Sequence, residues 1–222
     1  MTEWWTYRLS DFALFSPRVY YRLFELHNQA LWPLQIAALA LGLLVLVLLA
    51  GRPSVARRIV PAVLAAAWLW IGWSFFWRSY ATINWASPYV APAAALQAGL
   101  LMWLTLRGSI DFTGASGGMR IAALALLGGS VLLYPMAAIG MEGRSWRSAE
   151  LFGIAPDPTA LATLAAAALA RGRARWAVSI VPALWCAFSG ATLWAIGAEG
   201  AWLPPLGAVL ALSLATAGGR RP

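Results

Sequence analysis

One histidine, one cysteine, eight carboxylates and no lysine leave this 222-residue chain few side chains able to do chemistry. Without a lysine there is no Schiff base, which excludes a covalently held retinal despite the helical pattern described below. His27 is the only histidine and Cys186 the only thiol, so neither a bis-histidine haem nor a Cys/His zinc site can be assembled. The His27–Glu25 pair reads as an interfacial polar surface rather than as metal ligands. Gly114-Ala115-Ser116-Gly117-Gly118 lacks the P-loop lysine and reads as a plain connector. Ser189-Gly190 lacks the nucleophile-elbow context and a histidine base. Cys186, beside Trp185 in an apolar stretch, behaves as a small hydrophobe. No catalytic residue, metal site or cofactor is therefore assigned.

One carboxylate stands apart. Asp157-Pro158 opens an apolar stretch, Pro158–Ala170, that ends at Arg171. At about 1.5 Å per residue it reaches about 20 Å, against about 30 Å for a hydrocarbon core. The preceding Leu151-Phe152-Gly153-Ile154-Ala155-Pro156 is apolar and reads as irregular backbone descending to the helix start. Such backbone survives at membrane depth only when protein or a water-filled cavity covers it. Alanines at 160, 162 and 165–168 permit close helix approach and place this helix centrally. Asp157 is expected to lie inside the bundle, bonded to the amides of its own helix. Its candidate cation partners are Arg78, Arg144, Arg147, Arg18 and Arg22. Two readings stay open: a helix cap with a buried ion pair, or the polar floor of an outward-facing pocket. That pocket would be lined by Asp157, Asn84, Arg78, Trp85, Trp77 and Trp194.

The elements that must position these residues follow from composition. With 61% hydrophobic and 11% charged residues, the chain is not an ordinary soluble domain. Apolar stretches predict an all-α integral membrane fold, a seven-helix bundle. Its spans are Leu31–Ala50, Ile59–Trp77, Pro88–Leu106, Ile121–Ile139, Pro158–Ala170, Trp176–Ile196 and Trp202–Ala217. Arg52, Arg57, Arg58, Arg107, Arg120, Arg171, Arg173, Arg175, Arg220 and Arg221 occupy alternate connections or the C-terminus, with Asp111 the only acid among them. Cytoplasmic loops retain arginine, so the N-terminus is placed outside and the C-terminus inside. A six-span alternative, in which Pro158–Ala170 does not cross, would put Arg171, Arg173 and Arg175 outside. The net charge of +8 thus reads as topogenic and lipid-facing, not as a nucleic-acid surface.

Residues 1–30 form a separate interfacial segment, before the bundle of 31–217 and a cytoplasmic tail of 218–222. Ser16-Pro17 is an N-cap followed by proline at the first helical position. The helix it starts carries Arg18, Arg22, Glu25 and His27 beside Val19, Tyr20, Leu23, Phe24 and Leu26, which suits the outer membrane face. Trp4, Trp5, Tyr7, Phe12 and Phe15 form a second aromatic anchor.

The opening run from Glu3-Trp4-Trp5-Thr6-Tyr7-Arg8 to Asp11-Phe12, with Phe15-Ser16-Pro17-Arg18-Val19-Tyr20-Tyr21-Arg22, resembles that of an uncharacterised family of small bacterial polytopic membrane proteins. Tyr80–Ala86, Ala155–Leu161, Leu184-Trp185-Cys186 and Ser189–Ala195 fit the same resemblance. Some members carry a permease-like label. The resemblance implies a bacterial inner-membrane protein of unknown activity, and no catalytic residues carry over from it. Three function classes follow: a small-solute binding or permease-like protein, an accessory subunit of a larger membrane complex, and, more distantly, a membrane-embedded enzyme. The lipid bilayer is the expected partner in all three, with a small-molecule ligand or a membrane-protein partner added in the first two.

The alternation of arginines predicts a specific labelling pattern. Single cysteines in 142–150 should react with an impermeant thiol reagent on intact cells, and cysteines in 171–175 should not. Reaction of both loops from the same side would end the seven-span topology.

Overall fold

In the computed structural model, residues 15–51 and 53–218 are described, and among them every regular element is helical. Trp4, Trp5, Tyr7 and Phe12 lie outside the described residues, as do Arg52, Arg220 and Arg221. Helix α1 spans Pro17–Ala30 and α2 Leu34–Gly51. Helix α3, Pro53–Ile71, runs on through a π-helical stretch, Gly72–Ser79, and a 3-10 turn, Tyr80–Thr82. Next come α4, Ala91–Arg107, and α5, Gly117–Gly128, which a π-helical stretch at Gly129–Leu133 joins to α6, Tyr134–Glu142. The chain ends with α7, Pro156–Leu169, α8, Ala174–Ala195, and α9, Leu203–Gly218.

Six helical stretches are long and apolar enough to cross a membrane: Leu34–Gly51, Ser54–Thr82, Ser87–Arg107, Gly117–Met141, Ala174–Ala195 and Glu199–Gly218. They overlap six of the seven spans expected from sequence. The remaining one, α7, has 14 residues, all buried. Burial extends without a break from Phe152 to Ala170, so α7 and the irregular backbone leading into it are enclosed by protein. Alanine makes this enclosure workable, because a methyl side chain lets α3, α5, α8 and α9 pack against α7. Elsewhere the packing relies on glycine. A Cβ at Gly207 of α9 would press on the Leu161 side chain, and one at Gly190 of α8 on Pro205.

An enclosed helix still has orphan backbone groups at both ends, and burial requires that each find a partner. At the start, the Gly153 N–H donates to Thr159 Oγ1 (2.8 Å), and that hydroxyl donates to the Ala155 carbonyl (2.8 Å). Gly153 has φ 74°, a left-handed conformation that glycine adopts without penalty. At the far end, the Gly114 N–H donates to the Leu169 carbonyl (2.8 Å) and the Arg171 N–H to the Asp111 carbonyl (2.7 Å). Residues 109–116 therefore form a docked cap with Ile110, Phe112 and Ala115 buried. The glycine-rich segment is not the plain connector expected from sequence. Its first glycine sits where a side chain would overlap the Ala170 carbonyl oxygen.

Helix α1 forms as the Ser16-Pro17 signal predicts, with Ser16 Oγ accepting from the Val19 N–H. Tyr20, Leu23, Phe24 and His27 recur at helical spacing and face the bundle. Phe24 stacks on Phe75 with centroids 5.2 Å apart. Asn28 Nδ2 donates to the Arg147 and Ala149 carbonyls, tying α1 to the connection between α6 and α7.

Gly114→Ala should lower the thermal midpoint in detergent by the equivalent of about 1–3 kcal/mol, the usual cost of overpacking. Gly118→Ala, where a Cβ meets nothing within 4 Å, should be neutral. Equal midpoints for the two variants would show that residues 109–116 do not dock on α7.

Candidate functional site

The Asp157 carboxylate is 1% exposed and lies where α6, α7 and α8 meet. Trp185 Nε1 donates to its Oδ1 (2.6 Å), while the Tyr134 and Ser189 hydroxyls lie 2.9 and 2.7 Å from Oδ2. The sequence expectation that this carboxylate caps its own helix is corrected. Helix α7 starts two residues earlier, at Pro156, its N-cap position is Ala155, and no side chain caps it. The reason is chemical. Pro156 and Pro158 remove two of the N–H donors that a cap would serve, so the carboxylate is left to bond its neighbours.

None of the expected cations forms a salt bridge with Asp157 among the described residues, although the Arg144 charge acts on it through space. Arg144 pairs with Glu150 instead, at 3.2 Å, with both side chains 5% exposed. The Arg144 guanidinium also lies over the Tyr21 ring. Arg22 pairs with Glu25 on the outer face of α1, Arg147 lies over Trp146, Arg78 lies over Trp73, and Arg18 is exposed. The hydrogen bonds to the buried Asp157 carboxylate thus come from neutral side chains. Its two oxygens differ in consequence. An indole N–H can only donate, so Oδ1 must accept. The two hydroxyls at Oδ2 can each donate or accept, so that oxygen can carry either charge or a proton with no heavy atom moving.

Of the other candidate pocket residues, Asn84 is buried and its Oδ1 accepts from the Ala86 N–H, shaping the turn after α3. Trp77, Trp85 and Trp194 are exposed at 59%, 72% and 70%. None of these, nor Arg78, hydrogen-bonds Asp157. On α1, Arg18, Arg22 and Glu25 lie on the outward side, whereas His27 points inward, with Nδ1 2.8 Å from Ser79 Oγ. Burial lowers its imidazole from 6.5 to about 4, with the Ile154 carbonyl opposing that shift, so the ring is neutral at pH 7.

The sequence pattern leads to no expectation that Tyr134, Trp185 or Ser189 bonds Asp157. Trp185 and Ser189 stand four apart on α8 and therefore share a face, which was readable. Tyr134 is the one tyrosine in its apolar span, but its direction was not readable. The π-helical stretch Gly129–Leu133 that precedes it, closed by the Tyr134 N–H bonding the Gly129 carbonyl, shifts the register of the face that follows. A second π-helical stretch, Gly72–Ser79, presents Phe76 to the Trp185 ring at 4.8 Å. Deeper in the bundle, Trp68 Nε1 donates to Thr163 Oγ1 (3.0 Å), fixing α3 to α7.

Residues 17–221 match DUF6064, described as a family of unknown function. The chain belongs to that family. No curated protein and no solved structure matches it. An uncharacterised family is thus shown, as the resemblance implied, although the run from Glu3 to Phe15 precedes the matched residues.

For this DUF6064 member, the donor set of Asp157 makes its variants unequal. Asp157→Asn can keep its oxygen on Trp185 and offer its amide to the two hydroxyls, so it should unfold within about 1 kcal/mol of wild type. Asp157→Ala strands three buried donors at about 1–3 kcal/mol each and should lose the fold or most of its stability. Urea or thermal unfolding in detergent distinguishes them, and equal losses would contradict the bonding described.

Proposed function

We propose that this protein is a seven-span, multi-pass protein of the bacterial inner membrane that binds a small solute at Asp157, as a permease-like protein does. The single observation that carries this reading is a buried carboxylate held by three neutral donors, Tyr134, Trp185 and Ser189. A carboxylate inside a membrane bundle is costly, and such residues mark substrate or proton paths.

The seven-span topology is supported by what the two ends of α7 touch. Its start adjoins the connection 143–155, which also binds α1. Its end adjoins the cap 109–116, beside which Arg57 Nη2 donates to the Gly108 carbonyl and Arg120 to the Leu49 carbonyl. Helix α7 therefore runs from the acid-bearing end of the bundle to the arginine-rich end. A short crossing suffices because protein, not lipid, surrounds it. With arginines inside, the N-terminus lies outside, the C-terminus in the cytoplasm, and α1 rests on the outer surface.

Access to the carboxylate is from the side. A crevice of about 190 Å³ between α3, α4 and α8 is lined by Trp68, Phe76, Val90, Ala94, Leu184 and Trp185. It is smaller than the roughly 300–1,000 Å³ of drug-sized sites. Trp185 is both its wall and the donor to Asp157, so turning that one side chain joins the crevice to the carboxylate. The fitting solute is small and mostly apolar, with one cationic or hydrogen-bond-donating group.

The test is what accompanies the protein from cells in mild detergent, read by mass spectrometry for wild type and Asp157→Asn. The expected result is a small solute bound to wild type and lost from the folded variant. A stoichiometric membrane protein in its place, or a solute equally retained by both forms, would overturn the proposal; the first outcome would favour the accessory-subunit reading.

A further inference from the structure

The arginine-rich end of the bundle holds a cavity that no part of the Asp157 site uses. It measures about 430 Å³ and is lined by Ser54, Arg57, Arg58, Arg107 and Gly108. Three arginines line it, and among the described residues that line it there is no acid. Arg57 spends one donor on the Gly108 carbonyl (2.9 Å), and Arg107 lies over the Trp103 ring at 4.9 Å. Trp103 is in turn the end of a second feature. A shallow apolar groove of about 750 Å³ runs along the outer face of α4 past Pro92, Leu96, Gly99, Leu100 and Trp103. These residues form one helical stripe. From Pro92 to Trp103 it covers about 16 Å at 1.5 Å per residue, close to the roughly 15 Å depth of one leaflet.

We infer that the cavity and the groove together form a site for a single anionic phospholipid of the arginine-side leaflet. The phosphate is held among Arg57, Arg58 and Arg107, and one acyl chain lies along α4 over Gly99. Three cations with no acid among the described lining residues fit a phosphate, and guanidinium forks bind phosphate oxygens bidentately. Arg107 sits one turn beyond Trp103 on the same helix, so headgroup and chain are continuous. Gly99 matters for the same reason. Nothing lies within 4 Å of a Cβ placed there, which leaves the groove open at mid-chain. The inference rests on the membrane reading above and is independent of Asp157.

Native mass spectrometry of the detergent-purified protein with phosphatidylglycerol, or with phosphatidylcholine of the same chains, tests it. Wild type should retain phosphatidylglycerol roughly tenfold better or more. Arg58→Gln combined with Arg107→Gln should bring phosphatidylglycerol down to the phosphatidylcholine level. Gly99→Phe fills the groove without touching the fold and should weaken both lipids alike. Equal retention of the two lipids by wild type, unchanged preference in the arginine variant, or unchanged affinity in Gly99→Phe would overturn the proposal. So would displacement of the lipid by inorganic phosphate, which would make the cavity a soluble-anion site. Recovery of the protein in the membrane fraction, checked separately, keeps failure of this site distinct from failure of the membrane reading.

Discussion

Everything in this fold answers to one constraint: residues 152–170 are buried, and their backbone has no solvent to bond. A helix interior satisfies itself, but the ends and the irregular approach do not. Thr159 closes one end by serving both the Gly153 N–H and the Ala155 carbonyl, and residues 109–116 close the other at Leu169 and Arg171. The surrounding helices are arranged around a segment that could not exist alone. A 14-residue alanine-rich helix is marginal in water and too short for lipid. Protein neighbours on every side remove both objections.

The carboxylate follows from the same constraint. Two prolines shape the start of α7 and leave Asp157 without amides to cap, so its oxygens bond side chains on α6 and α8. Those partners are brought into reach by local departures from α-helical geometry. The π-helical stretch before Tyr134 re-aims α6, and the one at Gly72–Ser79 supplies Phe76 to back Trp185. The site is thus assembled from three helices whose irregularities all face one carboxyl group. A proton at Oδ2 changes the charge of that group but not its bonding partners, which suits a centre that binds and releases.

Much of the fold was legible in the sequence, because long apolar runs and arginine placement are one-dimensional signals. Six expected spans coincide with long apolar helices, and Ser16-Pro17 starts α1 where a cap and a proline should. Asp157 drew attention through arithmetic alone, a stretch too short for its surroundings. What was not legible was direction. Nothing in the spacing of Arg144 said that Glu150 and Tyr21 would take its guanidinium, since that depends on how a connection folds back over α1. Trp77, Trp85 and Trp194, expected to line a pocket with Asp157, are exposed and do not hydrogen-bond it, a direction that their spacing does not encode. The glycines at 114–118 read as a connector because the α7 terminus they cap is distant in sequence. His27 looked like part of a charged surface and is instead a neutral buried ring.

Amide hydrogen exchange of the protein in lipid nanodiscs measures the central constraint most directly. Residues 152–170 should be among the slowest to exchange in the chain, including the non-helical stretch 152–155, whose Gly153 amide is held by Thr159. If instead 152–155 exchanges as fast as the exposed connection 143–147, that backbone is solvated and Asp157 lies at the surface. In that case the enclosed carboxylate on which this account depends does not exist.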